Sequence, residues 1–324
     1  MSKRCIVITT INKPSEQILY YTTINSWDLI LIGDYKTDDN LYRKIKCIYL
    51  GLKEQYDMFP TFYNKIPLNS YTRKMFGYLY AIKHNYDVIY DTDDDNKYIE
   101  KLDMFNCTNN ICIKTTTNTG FVNVYKNYTE QKIWPRGIPP LHESIDIEPE
   151  LTIENKNLEI SIIQGLVNND PDVDAYYRIN VNNKSFYFEK SDIHINLNKY
   201  SVCPFNSQNT FWIDKSMFFL LYLPVTVSFR YTDILRSFVS LFQLWKHNKT
   251  IQFTGPTAIQ LRNEHDLNKD YESEMSMYES VEKVIQLLNN SKEANILEMY
   301  EILHENGIVD KTELDTLKEW IKLI

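Results

Sequence analysis

Short unbroken apolar runs alternate with longer mixed stretches over the first hundred residues, and this pattern predicts strands separated by helices. "CIVITTI", residues 5–11, is a β-branched run followed by the turn-forming "NKPS". "WDLILIGD", residues 27–34, repeats the pattern and stops at Gly33-Asp34. "SYTRKMFGYLYAIKH", from Ser70 to His84, spaces its apolar and aromatic residues like one face of a helix, and "YDVIYD" supplies another strand. Continuous apolar strands joined by helical segments imply strands buried on both faces, hence an α/β fold with a largely parallel sheet.

From about Asn106 to Lys199 the pattern is less regular. "WPRGIPPLHE" and a polar interval precede "SIIQGLVNNDPDVDAYYRI", which reads as loops around a cleft or a small inserted subdomain. "CPFNSQNTFW" then leads into "MFFLLYLPVTVSF", where Pro224 and Arg230 interrupt what would otherwise suggest a membrane span. From about Ser280 onward, Leu, Ile and Met recur at helical intervals, with Gly307 separating a terminal pair of helices. The expected division is a main domain over 1–270 and a helical extension over 271–324, serving as a cap or as a contact between copies.

Composition narrows the class. A chain of 324 residues, 43% hydrophobic, can bury one large core or two closely packed ones. A net charge of −8 argues against nucleic-acid wrapping but leaves room for a local basic pocket. The start, "MSKRCIVITT", has too short an apolar run for a signal peptide or membrane anchor, so the expectation is a protein of the cytoplasm or another intracellular compartment. Cys5, Cys47, Cys107, Cys112 and Cys203 form no zinc pattern and read as reduced thiols.

"DVIYDTDDDN", residues 87–96, changes the picture most. Four carboxylates (Asp91, Asp93, Asp94 and Asp95) follow directly on a buried-strand pattern. Such a cluster is either a solvated turn or a cation site, because clustered like charges disfavour ionisation. Open α/β sheets bind ligands beyond their strand C-termini, which favours a cation. Oxygen ligands suit Mn²⁺ or Mg²⁺.

Taken in order, "WDLILIGDYKT", "IPLNSYTRKMFGYLYAIKHNYDVIYDTDDDN", "WPRGIP", "IIQGLVNNDPDVDAYYRI", "PFNSQNTFW" and "LPVTVSFRYTDILRSFVSLFQLW" resemble the soluble glycosyltransferase-like domain of the STELLO family over about residues 5–265. The resemblance implies a GT-A-like, Rossmann-type nucleotide-sugar transferase fold with a carboxylate-held divalent ion. "GLVNNDPDVDA" is more distantly similar to reversibly glycosylated polypeptides, which include nucleotide-sugar mutases.

On that footing Asp91, Asp93 and Asp95 are the expected metal ligands, with Asp94 on ribose or substituting as a ligand. The resemblance favours Asp91-Thr-Asp93 as the metal-binding DXD core, while Asp93-Asp-Asp95 is equally legible as a second one. Arg73 and Lys74 are expected at the diphosphate and Tyr71 at the base. Thr9 and Asp34, which follow early strands, are candidates for the nucleoside. Arg136 carries a fixed fork for phosphate or an acidic sugar, and Trp134 offers a sugar platform. Asp233 is the first candidate for the acceptor-side base, with Asp172 or Asp174 as the alternative. Arg230 and Arg236 would clamp phosphate or orient Asp233. His265 is a further metal candidate.

The expected activity is metal-dependent transfer from a nucleotide-sugar donor, a UDP-sugar by preference, to the hydroxyl of a glycan, protein or small-molecule acceptor. A nucleotide-sugar mutase is the alternative enzyme. A nonenzymatic sugar-binding or assembly protein, with the terminal helices joining copies in a homo-oligomer, is the alternative from another class.

Overall fold

The structure is a computed structural model and describes residues 2–99, 102, 111–114, 120–148, 150–153, 158–190, 192–261 and 266–324. His265 and Cys107 lie outside the described residues. At its centre is a mixed sheet with helices on its faces.

The first strands are β1 (Arg4–Thr9), β2 (Asp28–Ile32), β3 (Ile48–Leu50) and β4 (Val88–Thr92). They form a parallel block in the order β3-β2-β1-β4. The chain leaves β1 toward β2 on one side and returns to β4 on the other, so a crevice opens at the carboxyl ends of β1 and β4.

Beyond β4 the sheet is mixed rather than largely parallel. Further strands are β5 (Asn96–Tyr98), β6 (Ile111–Lys114), β7 (Glu150–Ile153), β8 (Glu159–Asn168), β9 (His194–Leu197), β10 (Asn209–Trp212) and β11 (Lys249–Gln260). β10 runs antiparallel to both β4 and β8, and β8 pairs with β11 in parallel. The irregular middle of the sequence therefore contributes strands to the same sheet. β8, ten residues long, lies at its heart.

Strand periodicity divides the interior. Cys5, Val7, Ile30, Ile32 and Ile89 point into the larger core, beneath the helices Met75–Lys83 and Thr232–Lys246. Ile6, Ile8, Leu29, Leu31 and Tyr90 point into the smaller core on the opposite face. Asp91 shares the parity of Ile89, which turns its carboxylate toward the helices. At Gly77 the Met75–Lys83 helix rests directly on the sheet: a Cβ there would come within 2.4 Å of Ile32 Cδ1 and 2.6 Å of Val7 Cγ1.

The expected helix from Ser70 begins differently. Ser70 caps a 3-10 turn over Tyr71–Lys74, and the α-helix starts at Met75. At the C-terminus there are three helices: Leu267–Asn290, Ile296–Glu305 and Lys311–Leu323, with Gly307 (φ +74°) between the last two. The first starts well before Ser280 because its opening residues, "LNKDYESE", are mostly polar. Its apolar stripe becomes regular only at Met277, Val281, Val284 and Leu288. These helices share the larger core with the sheet, down to Leu317 and Trp320. Glu313 accepts from the backbone N–H of Val225 at 2.9 Å and of Thr226 at 2.8 Å, fastening the last helix to the loop before Arg230. Among the described residues, no helix is long and apolar enough to cross a membrane.

Candidate active site

A cavity of about 390 Å³ opens at the carboxyl ends of β1, β2 and β4. Its wall joins residues from 9 to 260. Ten sequence candidates meet there: Thr9, Asp34, Tyr71, Asp93, Asp94, Asp95, Arg136, Asp172, Arg230 and Asp233.

On the nucleoside side, backbone N–H groups hold Asp34 and side chains hold Asp94. Asp34 Oδ2 accepts from Ser70 N at 3.0 Å and Oδ1 from Tyr35 N at 2.6 Å. Thr10 Oγ1 donates to Asp94 Oδ2 at 2.6 Å, and Asn12 Nδ2 to the same oxygen at 3.0 Å.

The acid cluster separates by depth. Asp91 is fully buried, 2.7 Å from Lys74 Nζ and 3.2 Å from Arg236 Nη1. It lies beneath the cavity, not in its wall, because β4 runs on to Thr92. Lys74 and Arg236, expected near phosphate, are likewise buried and engaged by Asp91. Asp93 Oδ1 accepts from Tyr71 OH at 2.9 Å and from Lys74 Nζ at 3.1 Å, so Oδ2 is the oxygen neither of them holds. Both Asp95 oxygens accept from Gln260 Nε2 at 3.1 Å. Burial and then repulsion from Asp93 push Asp95 up to about 7. Asp93 is also raised, by burial, against the attraction of Lys74.

Opposite the acids, Arg136 gathers two loops. Its Nε and Nη2 donate to Asp172 at 2.8 and 3.0 Å, and Nη2 also reaches Asp233 Oδ1 at 3.1 Å. Its Nη1 donates to the carbonyl of Arg230. Burial works to raise the Asp172 carboxyl, but Arg136 holds it below the usual carboxylate range. Asp233 occupies the first turn of the Thr232–Lys246 helix, where a negative charge suits the helix dipole, and accepts from Ser207 N at 3.2 Å. The Arg136 loop turns through Gly137 at φ +105°, and a Cβ there would meet Ile234 Cγ2 at 2.6 Å.

Three other candidates are placed elsewhere. Arg73 runs under the Tyr71–Lys74 turn, donating to Gln55 Oε1 at 2.8 Å and Ile66 O at 3.1 Å, with its guanidinium 4.5 Å from the Tyr63 ring centroid. Trp134 is buried, and its Nε1 donates to Asp174 Oδ2 at 2.6 Å. Asp174 caps the Ala175–Asn180 helix through Tyr177 N at 2.7 Å. Neighbouring acids in "DPDVDA" thus diverge, Asp172 to the cavity and Asp174 to the core. Conversely, Gln208, Gln260 and Phe229 line the cavity but are not among the sequence candidates. Gln208 lies within "PFNSQNTFW" and Phe229 within "LPVTVSFRYTDILRSFVSLFQLW", where nothing marks either one for a role, and Gln260 lies in neither stretch.

Asp174 carries a pH prediction. Burial, aided by the Glu274 charge, pushes its carboxyl up to about 7 against the hydrogen bonds from Tyr177 and Trp134. The folded state therefore holds this proton more tightly than the unfolded chain. Its stabilising effect is complete below about pH 3.9 and is lost as pH rises through about 7. Thermal melts should show stability falling across that window. Asp174→Ala should melt lower, losing a cap worth about 1 kcal/mol, but with a flatter pH profile; an unchanged slope contradicts this origin.

No three His, Cys, Asp or Glu side chains among the described residues form a ready-made metal cage. The aspartates instead line one rim, each held by a different partner. Sites that use one or two carboxylates and complete the coordination with substrate phosphate and water suit Mg²⁺-like ions. Asp93 and Asp95 fit that description.

Comparison with known proteins supplies a class. The chain is 27% identical to "Probable glycosyltransferase STELLO1" of Arabidopsis thaliana over 278 residues, 79% of this chain and 35% of that protein. It is 27% identical over 281 residues to "Probable glycosyltransferase STELLO2" of the same plant, with the same coverage. It thus spans about a third of the length of these curated relatives. Glucosyl-3-phosphoglycerate synthase from Mycobacterium tuberculosis, crystallised with Mn²⁺ and UDP-glucose, aligns with 90% of this chain and 79% of its own at 9% identity and a TM-score of 0.38. The class is that of glycosyltransferase-family proteins. More narrowly, the family model for STELLO glycosyltransferases matches residues 230–317, and the chain is homologous at moderate identity to the two Arabidopsis proteins. The matched segment includes the C-terminal helices through most of Lys311–Leu323, where the sequence motifs alone carried no resemblance.

Proposed function

We propose that this domain is a metal-dependent glycosyltransferase of GT-A type that uses a nucleotide-sugar donor, a UDP-sugar by preference. The observation that carries the proposal is the charge of the cavity wall. Asp34, Asp93, Asp94, Asp95, Asp172 and Asp233 line it against Lys36, Arg136 and Arg230. A diphosphate entering this wall meets net repulsion unless a cation accompanies it. Asp93 and Asp95 are the residues that would hold Mn²⁺ or Mg²⁺. The ion would supply positive charge to the departing diphosphate.

The protein's own groups account for the rest. Asp34 and Thr9 sit where a nucleoside would bind beyond β1 and β2, and Asp94, fixed by Thr10 and Asn12, faces the ribose. Tyr71 contributes a ring to the same wall and orients Asp93 through its hydroxyl. Arg230 is available for phosphate. Asp233, oriented by Arg136 and Ser207, takes the proton of the acceptor hydroxyl as that oxygen bonds to the anomeric carbon. The glycosidic bond breaks, and its electron pair leaves with the nucleoside diphosphate. This displacement inverts the anomeric centre. Asp172, held low by Arg136, is the poorer base.

The deciding measurement is calorimetric titration with UDP-, GDP-, ADP-, CDP- and dTDP-sugars, with and without Mn²⁺, followed by product analysis. Metal-dependent binding of one donor and release of its nucleoside diphosphate are expected. Failure of every donor to bind sinks the proposal, and an isomerised sugar instead of released diphosphate points to a mutase.

A further inference from the structure

Arg230 lines the cavity, but the group that aims it comes from the C-terminal helices. Glu274, on the Leu267–Asn290 helix, is fully buried. Its Oε1 accepts from Arg230 Nε at 2.8 Å and lies 2.7 Å from Arg230 Nη2. Its Oε2 accepts from the backbone N–H of Ala175 at 2.7 Å and from Tyr278 OH at 2.6 Å. Ala175 opens the helix that Asp174 caps, directly after the loop that carries Asp172. Glu274 therefore ties together from behind the same two loops that Arg136 joins from the cavity side. A buried carboxylate receiving this many donors is a fixed point of the framework.

We infer that Glu274 is a positioning residue for the diphosphate part of the donor, acting by holding the Arg230 guanidinium in one orientation. The inference rests on the reading of the cavity as a nucleotide-sugar site. With Nε and Nη2 engaged, Nη1 is the nitrogen that Glu274 leaves for a ligand. Charge alone argues the opposite way: Glu274 cancels Arg230, so a neutral residue should make the wall more positive and tighten anion binding. Position argues for weaker binding. Both Glu274 oxygens act as acceptors, so the –NH₂ of a glutamine must face either the Arg230 or the Ala175 N–H donor, and the clamp opens.

The sign of the effect and its dependence on Arg230 form the test. UDP binding in the presence of Mn²⁺ is measured for the wild type, Glu274→Gln, Arg230→Gln and the double variant. Glu274→Gln should weaken binding about tenfold or more, as expected when one member of a buried charge pair is removed. The double variant should bind no more weakly than Arg230→Gln alone. Unchanged or tighter binding in Glu274→Gln overturns the inference, and so do losses that add in the double variant, because an effect through general stability would not need Arg230. If Glu274→Gln fails to fold, Glu274→Asp keeps the charge, shortens the reach and goes through the same cycle with the same expectation. A wild type that binds neither UDP nor any other nucleoside diphosphate with Mn²⁺ removes the functional proposal and this inference together. Binding by the wild type with additive losses removes only the role of Glu274.

Discussion

Asp93→Ala should lose Mn²⁺-dependent binding of the donor by about 100-fold or more, since even the partners behind a metal ligand cost 10–100-fold when removed. Asp93 lines the cavity, and Tyr71 and Lys74 hold its Oδ1, which leaves Oδ2 as the oxygen neither of them engages. The substitution leaves Lys74 paired with Asp91, 2.7 Å away, so the buried ion cluster beneath the site persists and the variant should fold. It also relieves repulsion on Asp95, which should titrate lower than in the wild type. Calorimetry with Mn²⁺ and the donor identified by the panel checks the loss. Donor affinity unchanged from the wild type, or a metal effect that survives, rules Asp93 out as a ligand.

The second large effect is on chemistry. Asp233→Asn keeps the size of the side chain but cannot take up the acceptor proton. Transfer should fall by about 10²–10⁴, the usual contribution of a positioned general base. Donor binding should stay within about threefold, because Asp233 faces the Arg136 side of the cavity and not the acid rim. Single-turnover transfer together with a donor titration separates the two. If Asp233→Asn transfers at the wild-type rate while Asp172→Asn does not, the base is Asp172.

The strand ends and the acid cluster were legible because they depend on local pattern. β1, β2 and β4 are apolar almost throughout, and ligand-binding residues in an open sheet follow such strands. The choice of acids was not legible, because both DXD registers fit the sequence. It turns on whether β4 ends before or after Asp91, and one further residue of strand puts Asp91 among Lys74 and Arg236. Arg73 and Lys74 show the same limit. A 3-10 turn rather than an α-helical one sends Arg73 to Gln55 and Lys74 to Asp91. Trp134 reads equally well as a platform or as core, and only its pairing with Asp174, forty residues away, separates the two. Glu274 gave no signal at all. A glutamate in a polar helical stretch looks solvated until its helix is laid against Arg230 and Ala175.

The place of β10 has a consequence for the order of assembly. β4 carries the acid rim at its end, yet one of its edges is covered only when residues 209–212 arrive from the far side of the sequence. Until then a growing chain holds a parallel four-strand block whose open edge, β4, is apolar from Val88 to Tyr90, the kind of surface that recruits foreign strands. Closing it joins segments more than a hundred residues apart, a slow step for topological reasons. The cavity cannot exist before that closure, so the ability to bind a ligand should emerge late and all at once during folding, rather than with the N-terminal block that supplies half its wall.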